Sequence, residues 1–244
     1  MASGIALNVL INLVAASIGY FGRYAVERVF GRFVKDRRVR EFWSFLGQPC
    51  HIFLPIIREN EVGAAGGFGD LLATSRLIGI ANTYYPPADK LVIHTRQSAY
   101  GSCQDDNLVV IGGGKYNSIY RDLIDRIDPP LHFFDTATES FQEVRNREST
   151  IIYSPEYGPG GSLVFDIGIL IFCASPFARG RRVLIAAGSH TYGSAIAIQY
   201  LSELEGLRDT REARSGGNFM FVVGARVSDT GTGRAQRISN VLTW

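Results

Sequence analysis

From Cys50 onward the chain alternates short apolar runs with stretches of helical periodicity, and that alternation limits the fold more than any other feature. HIFLPII (51–57), LVIHT (91–95), NLVVIGG (107–113), LHFFD (131–135) and RRVLIAAGS (181–189) have the length and apolar content of buried strands, with turn residues at their ends. Between them lie GFGDLLATSRLIGIANTYY (67–85), YNSIYRDLIDRI (116–127, closed by Asp128, Pro129 and Pro130) and TYGSAIAIQYLSEL (191–204), which read as helices. Such alternation predicts a mostly parallel sheet with helices on both faces. SLVFDIGILIFCASP (162–176), as one long strand or a strand pair, predicts an antiparallel addition at an edge. So does a terminal hairpin of FMFVVGARV (219–227) and RAQRISNVLTW (234–244) around Thr230–Gly233.

The amino-terminal part follows different rules. Met1 to Gly22 contains no charged residue, and a bilayer-spanning helix needs about 20 mostly apolar residues. Arg23, Arg28, Arg32, Lys35, Arg37, Arg38 and Arg40 follow it. This order is the reverse of a signal peptide's and puts the basic flank in the cytoplasm. The expectation is a single-pass inner-membrane helix and basic stalk over residues 1–49, followed by a cytoplasmic α/β domain over 50–244. Residues 1–50 carry seven basic and three acidic side chains, and the remainder carries 18 basic and 20 acidic, so the overall charge of +2 conceals two unlike parts. Asn8 and Asn12, one helical turn apart, with Gly19 beside their face, suit helix self-association and a pore in a homo-oligomer.

Ligands of open α/β sheets bind beyond the carboxyl ends of the strands. Three strand-to-helix junctions here are rich in Gly and small polar residues: Gly63 to Asp70, with Gly66, Gly67 and Asp70; Gly112-Gly113-Gly114-Lys115-Tyr116-Asn117; and Ser189-His190-Thr191-Tyr192 after Gly188. Close backbone approach and helix amino termini make such junctions suited to phosphate, and Lys115 adds a full charge. None carries a Walker or GxGxxG pattern. Cys50, Cys103 and Cys173 have no CxxC spacing and read as free thiols, and His51, His94, His132 and His190 lack zinc-site spacing, so no metal is expected. Asp105 and Asp106 read as solvated loop residues.

NLVVIGGGKYN, DIGILIFCASPF and RRVLIAAGSHTYGSA resemble bacterial sensor domains with a Rossmann-like sheet, the SLOG and related nucleotide-binding domains of anti-phage defence. The resemblance implies a membrane effector gated by a nucleotide or oligonucleotide that a partner nucleotidyltransferase supplies. It implies a phosphate-side loop at Gly112, Gly113, Gly114, Lys115 and Asn117, with Ser189, His190 and Thr191 opposite, and no catalysis or cofactor. A lone span cannot enclose a conduit, so the reading requires a tetramer or larger assembly in contact with lipid. The alternative is a membrane-anchored enzyme acting on a nucleotide such as NAD, with Glu139, Glu143 or Asp70 as the acid–base group. A third reading is a structural anchor whose Gly-rich turns are only turns.

Overall fold

A computed structural model describes residues 35–244 except 56–57, 61–62, 66, 87–89, 136–139, 147–148, 191, 214–216 and 229–230. The expected span, with Asn8, Asn12 and Gly19, lies outside the described residues. Among those described, no helix is long and apolar enough to cross a membrane. Contacts divide the chain into Met1–Glu41 and Phe42–Trp244. In the first unit the described residues are helical, with an exposed Arg37–Glu41 ion pair of 2.9 Å one turn apart, worth a few tenths of a kcal/mol.

In the second unit the strands are β1 (Cys50–Phe53), β2 (Arg58–Asn60), β3 (Gly63–Ala65), β4 (Leu91–His94), β5 (Asn107–Ile111), β6 (Leu131–Asp135), β7 (Ser140–Asn146) and β8 (Ser149–Tyr153). They continue as β9 (Glu156–Tyr157), β10 (Leu163–Ala174), β11 (Arg182–Gly188), β12 (Phe219–Ser228), β13 (Gly231–Thr232), β14 (Gln236–Arg237) and β15 (Leu242–Thr243). The helices are α1 (Phe68–Tyr84), α2 (Ser118–Ile127), α3 (Gly193–Leu201) and α4 (Leu204–Ala213). The main sheet runs β13-β12-β10-β11-β5-β1-β4. From β11 to β4 every pairing is parallel, and β10 is antiparallel to both β11 and β12. The fold is thus mixed α/β, with a parallel half and antiparallel strands added beyond β11. The 162–176 segment is one long strand, and β13, β14 and β15 all return onto β12.

Burial explains why these sequences become strands. β5 is buried along its whole length, as are Val183–Ala187 of β11 and Phe219–Ala225 of β12, because helices or aromatic side chains cover both faces. One face carries Leu108, Val110, Ile167, Ile169, Ile171, Val183, Ile185, Met220 and Val222, and packs on Ile119, Tyr120 and Leu123 of α2 and on Cys103. Side chains alternate along each strand, so Ile52, Val109, Ile111, Leu184, Ala186, Leu170 and Phe221 face the other side, where α3 packs and α1 lies against α3.

Several elements depart from the sequence reading. Leu131–Asp135, expected among the strands that alternate with helices, pairs instead with β7 in a separate three-stranded antiparallel sheet, and α4 is a helix that was not expected. Phe42, Trp43, Phe45 and Leu46, expected as part of the stalk, are buried. Phe42 and Phe45 sit 5.2 and 5.6 Å from the Phe172 ring, and Phe172 sits 5.4 Å from Phe219. These aromatic side chains gain more free energy by covering β10 and β12 than they would on a solvated stalk. Gly63–Ala65, expected in a strand-to-helix turn, instead pairs with Arg58–Asn60 as a small hairpin.

Space at the α3 amino terminus sets the tightest constraint. A Cβ on Gly193 would collide with the Ile167 carbonyl and, at 2.5 Å, with the Gly188 Cα, whereas a Cβ on exposed Gly79 in α1 would meet nothing within 4 Å. Gly193→Ala is therefore expected to cost at least about 3 kcal/mol, and Gly79→Ala to add roughly 0.5–1 kcal/mol. Urea denaturation of the two variants beside the parent chain checks both signs.

Candidate functional site

The strand order reverses between β1 and β5, because the chain leaves β1 for β4 on one side and β5 for β11 on the other. In open α/β sheets such a point, beyond the strand carboxyl ends, is where ligands bind. Three of the loops converge there. Gly112, with φ +86°, has room for no side chain: a Cβ would meet Pro55 Cγ at 2.6 Å and Asp70 Oδ2 at 3.4 Å. A Cβ on neighbouring Gly113 would stand 3.3 Å from the Gly188 carbonyl. Phe68 at the head of α1 meets Tyr192 edge to face at 6.1 Å. The start of α1, the β5–α2 turn and the β11–α3 turn therefore lie close together.

The turns satisfy many of their own backbone donors. Asn117, fully buried, accepts from the Ile119 and Tyr120 N–H groups at 3.1 and 3.4 Å and donates to the Ile111 carbonyl at 3.1 Å. It is the cap of α2, and this fixes where the Gly112–Lys115 turn lies. The Ser118 N–H goes to Gln97. Within the turn, the Gly113 and Gly114 N–H groups have no partner among the described residues. Exposed Lys115 follows them, its Nζ 5.5 Å from the Tyr116 ring.

The β11–α3 turn is organised by a carboxylate the sequence reading did not single out. Asp166, at the start of β10 and fully buried, accepts from the Ile167 N–H at 2.8 Å, the Tyr192 N–H at 3.0 Å and the His190 N–H at 3.3 Å. An internal anion thus fills the cradle expected for a ligand at His190 and Tyr192. Burial pushes the Asp166 carboxyl up to about 6, against the pull of these donors and of nearby His190. The His190 ring is hydrogen-bonded to the Tyr157 hydroxyl on β9. The Ser189 hydroxyl is buried without a hydrogen-bond partner among the described residues. Gly66 and Thr191 lie outside the described residues.

Asp70 is 8% exposed, in the first turn of α1 beyond the Gly67 cap. Burial pushes its carboxyl up to about 6, and the nearby Ser194 hydroxyl pulls part of the way back. A carboxyl at this position can accept from a ligand hydroxyl or move a proton near neutral pH. Phe68 is 57% exposed at the same rim, a ring that neither periodicity nor motif had marked. Glu139, and the side chain of Glu143 on β7, lie outside the described residues.

A second constellation lies on the sheet face that carries Gln97–Cys103. His51 Nδ1 is 2.8 Å from His94 Nε2, and His51 Nε2 is 3.2 Å from Asp106 Oδ2. Cys103 Sγ is 3.8 Å from the same His94 nitrogen. Burial and the neighbouring His51 lower the His94 pKa. The fold thus brings together His51 and His94, which lack zinc-site spacing in the sequence, and Asp106, read there as a loop residue. His51, His94 and Cys103 belong to β1, the end of β4 and the 3-10 turn Gln97–Cys103, so no linear spacing could announce them.

Compared with known proteins, the chain matches no family model and no curated sequence.

The Asp70 carboxyl supplies a pH test. Its folded pKa exceeds the unfolded value of about 4, so the folded state gains from protonation below that value and loses the gain as pH rises through about 6. Asp70→Asn lacks this dependence. The variant should match the parent chain at pH 4 and exceed it by roughly 2–3 kcal/mol at pH 7, as measured by chemical denaturation at both pH values.

Proposed function

We propose that Phe42–Trp244 is a sensor domain that binds a nucleotide or short oligonucleotide at the crevice between β1, β5 and β11. The observation that carries the reading is the convergence of three kinds of recognition chemistry on one spot. The paired Gly113 and Gly114 N–H groups with Lys115 suit a phosphate. Asp70 Oδ2, just beyond Gly112, suits a ribose hydroxyl. The exposed Phe68 ring beside Tyr192 suits a base face. In this reading the ligand reaches the domain from the cytoplasm, supplied by a nucleotidyltransferase, and the uncharged run Met1–Gly22 carries the output as the membrane span of a homo-oligomer that serves in anti-phage defence. Gating then requires the ligand to bind one packing of that assembly more tightly than the other.

Asp70 supports a second reading, since a buried carboxyl poised near 6 beside a nucleotide is placed for general acid–base cleavage of a glycosidic bond. Chromatography of NAD and other nucleotides after incubation with the full-length protein separates the two. Turnover lost in Asp70→Asn with binding retained selects the enzyme.

For the sensor reading, full-length protein in mild detergent is heated with a panel of mono-, di- and cyclic oligonucleotides. At least one is expected to raise Tm, since a ligand at 100 times its Kd adds about 2.7 kcal/mol. Lys115→Ala should weaken that ligand by about tenfold or more, through loss of a charge-assisted contact, and Phe68→Ala should weaken it further. A panel without any shift, or affinities unmoved by both variants, removes the proposal.

A further inference from the structure

We propose that His51, His94 and Cys103 form a transition-metal site, zinc foremost, separate from the crevice. The ligands would be His51 Nδ1, His94 Nε2 and Cys103 Sγ, with a solvent molecule completing a tetrahedron.

One ligand atom from each of the three side chains lies within 4.8 Å of the others. Around a tetrahedral zinc, with Zn–N near 2.0 and Zn–S near 2.3 Å, ligand atoms stand roughly 3.3–3.6 Å apart. The 2.8 Å nitrogen pair needs to open slightly, and the 3.8 Å sulfur–nitrogen pair needs to close slightly. The third pair, His51 with Cys103, lies within 4.8 Å and has to close by as much as about 1.2 Å through side-chain rotation. The donor set is two imidazoles and one thiolate, borderline to soft, which favours zinc, cobalt or copper over magnesium or calcium.

The surroundings orient the ligands as an outer shell does. Asp106 Oδ2 receives the His51 Nε2–H, which leaves Nδ1 as the lone-pair nitrogen facing His94. The other Asp106 oxygen faces the Arg181 guanidinium at 3.8 Å. The His94 ring is stacked on Phe53, with centroids 4.8 Å apart and planes within 16°. β1 and β4 are adjacent parallel strands in register, Phe53 beside His94, so two ligands come from paired backbone. Among the described residues, the polar contacts of the Cys103 thiol are long, to His94 at 3.8 Å and to the Ser102 hydroxyl at 3.9 Å.

Binding balances simply. The proton that His94 Nε2 shares with His51 Nδ1 moves to His94 Nδ1, the Cys103 thiol releases one proton to solvent, and both imidazoles ligate as neutral bases. The ion would then tie β1, the β4 strand and the 97–106 segment together. The site shares no residue with the crevice, so its failure leaves the nucleotide reading untouched.

The test is metal analysis of the full-length protein, followed by removal of bound metal and titration with cobalt(II). The expected result is one metal per chain and a thiolate-to-cobalt charge-transfer band with the intense visible bands of four-coordination. Cys103→Ser should abolish the charge-transfer band, while Cys50→Ser and Cys173→Ser keep it. Asp106→Asn should weaken affinity by about 10–100-fold. Circular dichroism confirms that each variant is folded. Should any be unfolded, cobalt titration of the parent chain alone decides by presence or absence of the band. A parent chain with no such band, or a band that persists in folded Cys103→Ser, overturns the site.

Discussion

Where α3 meets the sheet, backbone touches backbone, and the rest of the carboxyl edge is arranged around that contact. Gly168 of β10, Gly188 of β11 and Gly193 of α3 approach so closely that a methyl group on any of them would overlap a neighbouring main chain. This closeness seats α3 directly on β10 and β11, and α1 then packs against α3. The position of α1 in turn brings Asp70 to Gly112 and Phe68 to Tyr192. A side chain at Gly193 would push α3 outward and displace both helices that frame the crevice.

The same contact has an electrostatic counterpart. A chain that turns sharply from β11 into α3 leaves backbone N–H groups without helical partners, and Asp166 collects those of His190 and Tyr192. The carboxylate is buried, so its charge is held against desolvation by directed donors and by His190. Asn117 does the corresponding work at the head of α2 with a neutral amide. Two Gly-rich turns with similar sequence texture thus differ in what they leave over. The turn capped by Asn117 retains free Gly113 and Gly114 donors beside a lysine, and the turn held by Asp166 has already bound its anion.

The amino edge shows how a segment outside the repeating pattern becomes structural. Asn107, fully buried at the start of β5, donates to the carbonyls of Phe45 and Pro49 at 3.1 and 3.3 Å and accepts from the Arg182 N–H at 2.8 Å. It ties the Phe42–Pro49 segment to β5 and β11 together, while Phe42 and Phe45 cover Phe172. An aromatic stretch read as the end of a stalk therefore completes the hydrophobic cover of the sheet.

By itself the sequence determined the positions of the main-sheet strands and of α1, α2 and α3, since burial on both faces writes continuous apolar runs such as NLVVI and RVLIAAG, and Asn or Gly marks the helix starts; the β2–β3 hairpin, β7, β8 and α4 lack such a signature. It also marked the residues at the crevice mouth, Asp70, Gly112, Gly113 and Lys115, because tight turns after parallel strands demand glycine wherever loops must touch. It left out Asp166, Phe68 and the grouping of His51, His94, Cys103 and Asp106. Each of these acquires its meaning from a partner that is distant in the chain: Asp166 from donors 24 and 26 residues on, and His51 from His94 and Asp106, 43 and 55 residues on. Local propensity is written in neighbouring residues, whereas convergence of side chains is decided only when strands pair in register and helices settle on the sheet.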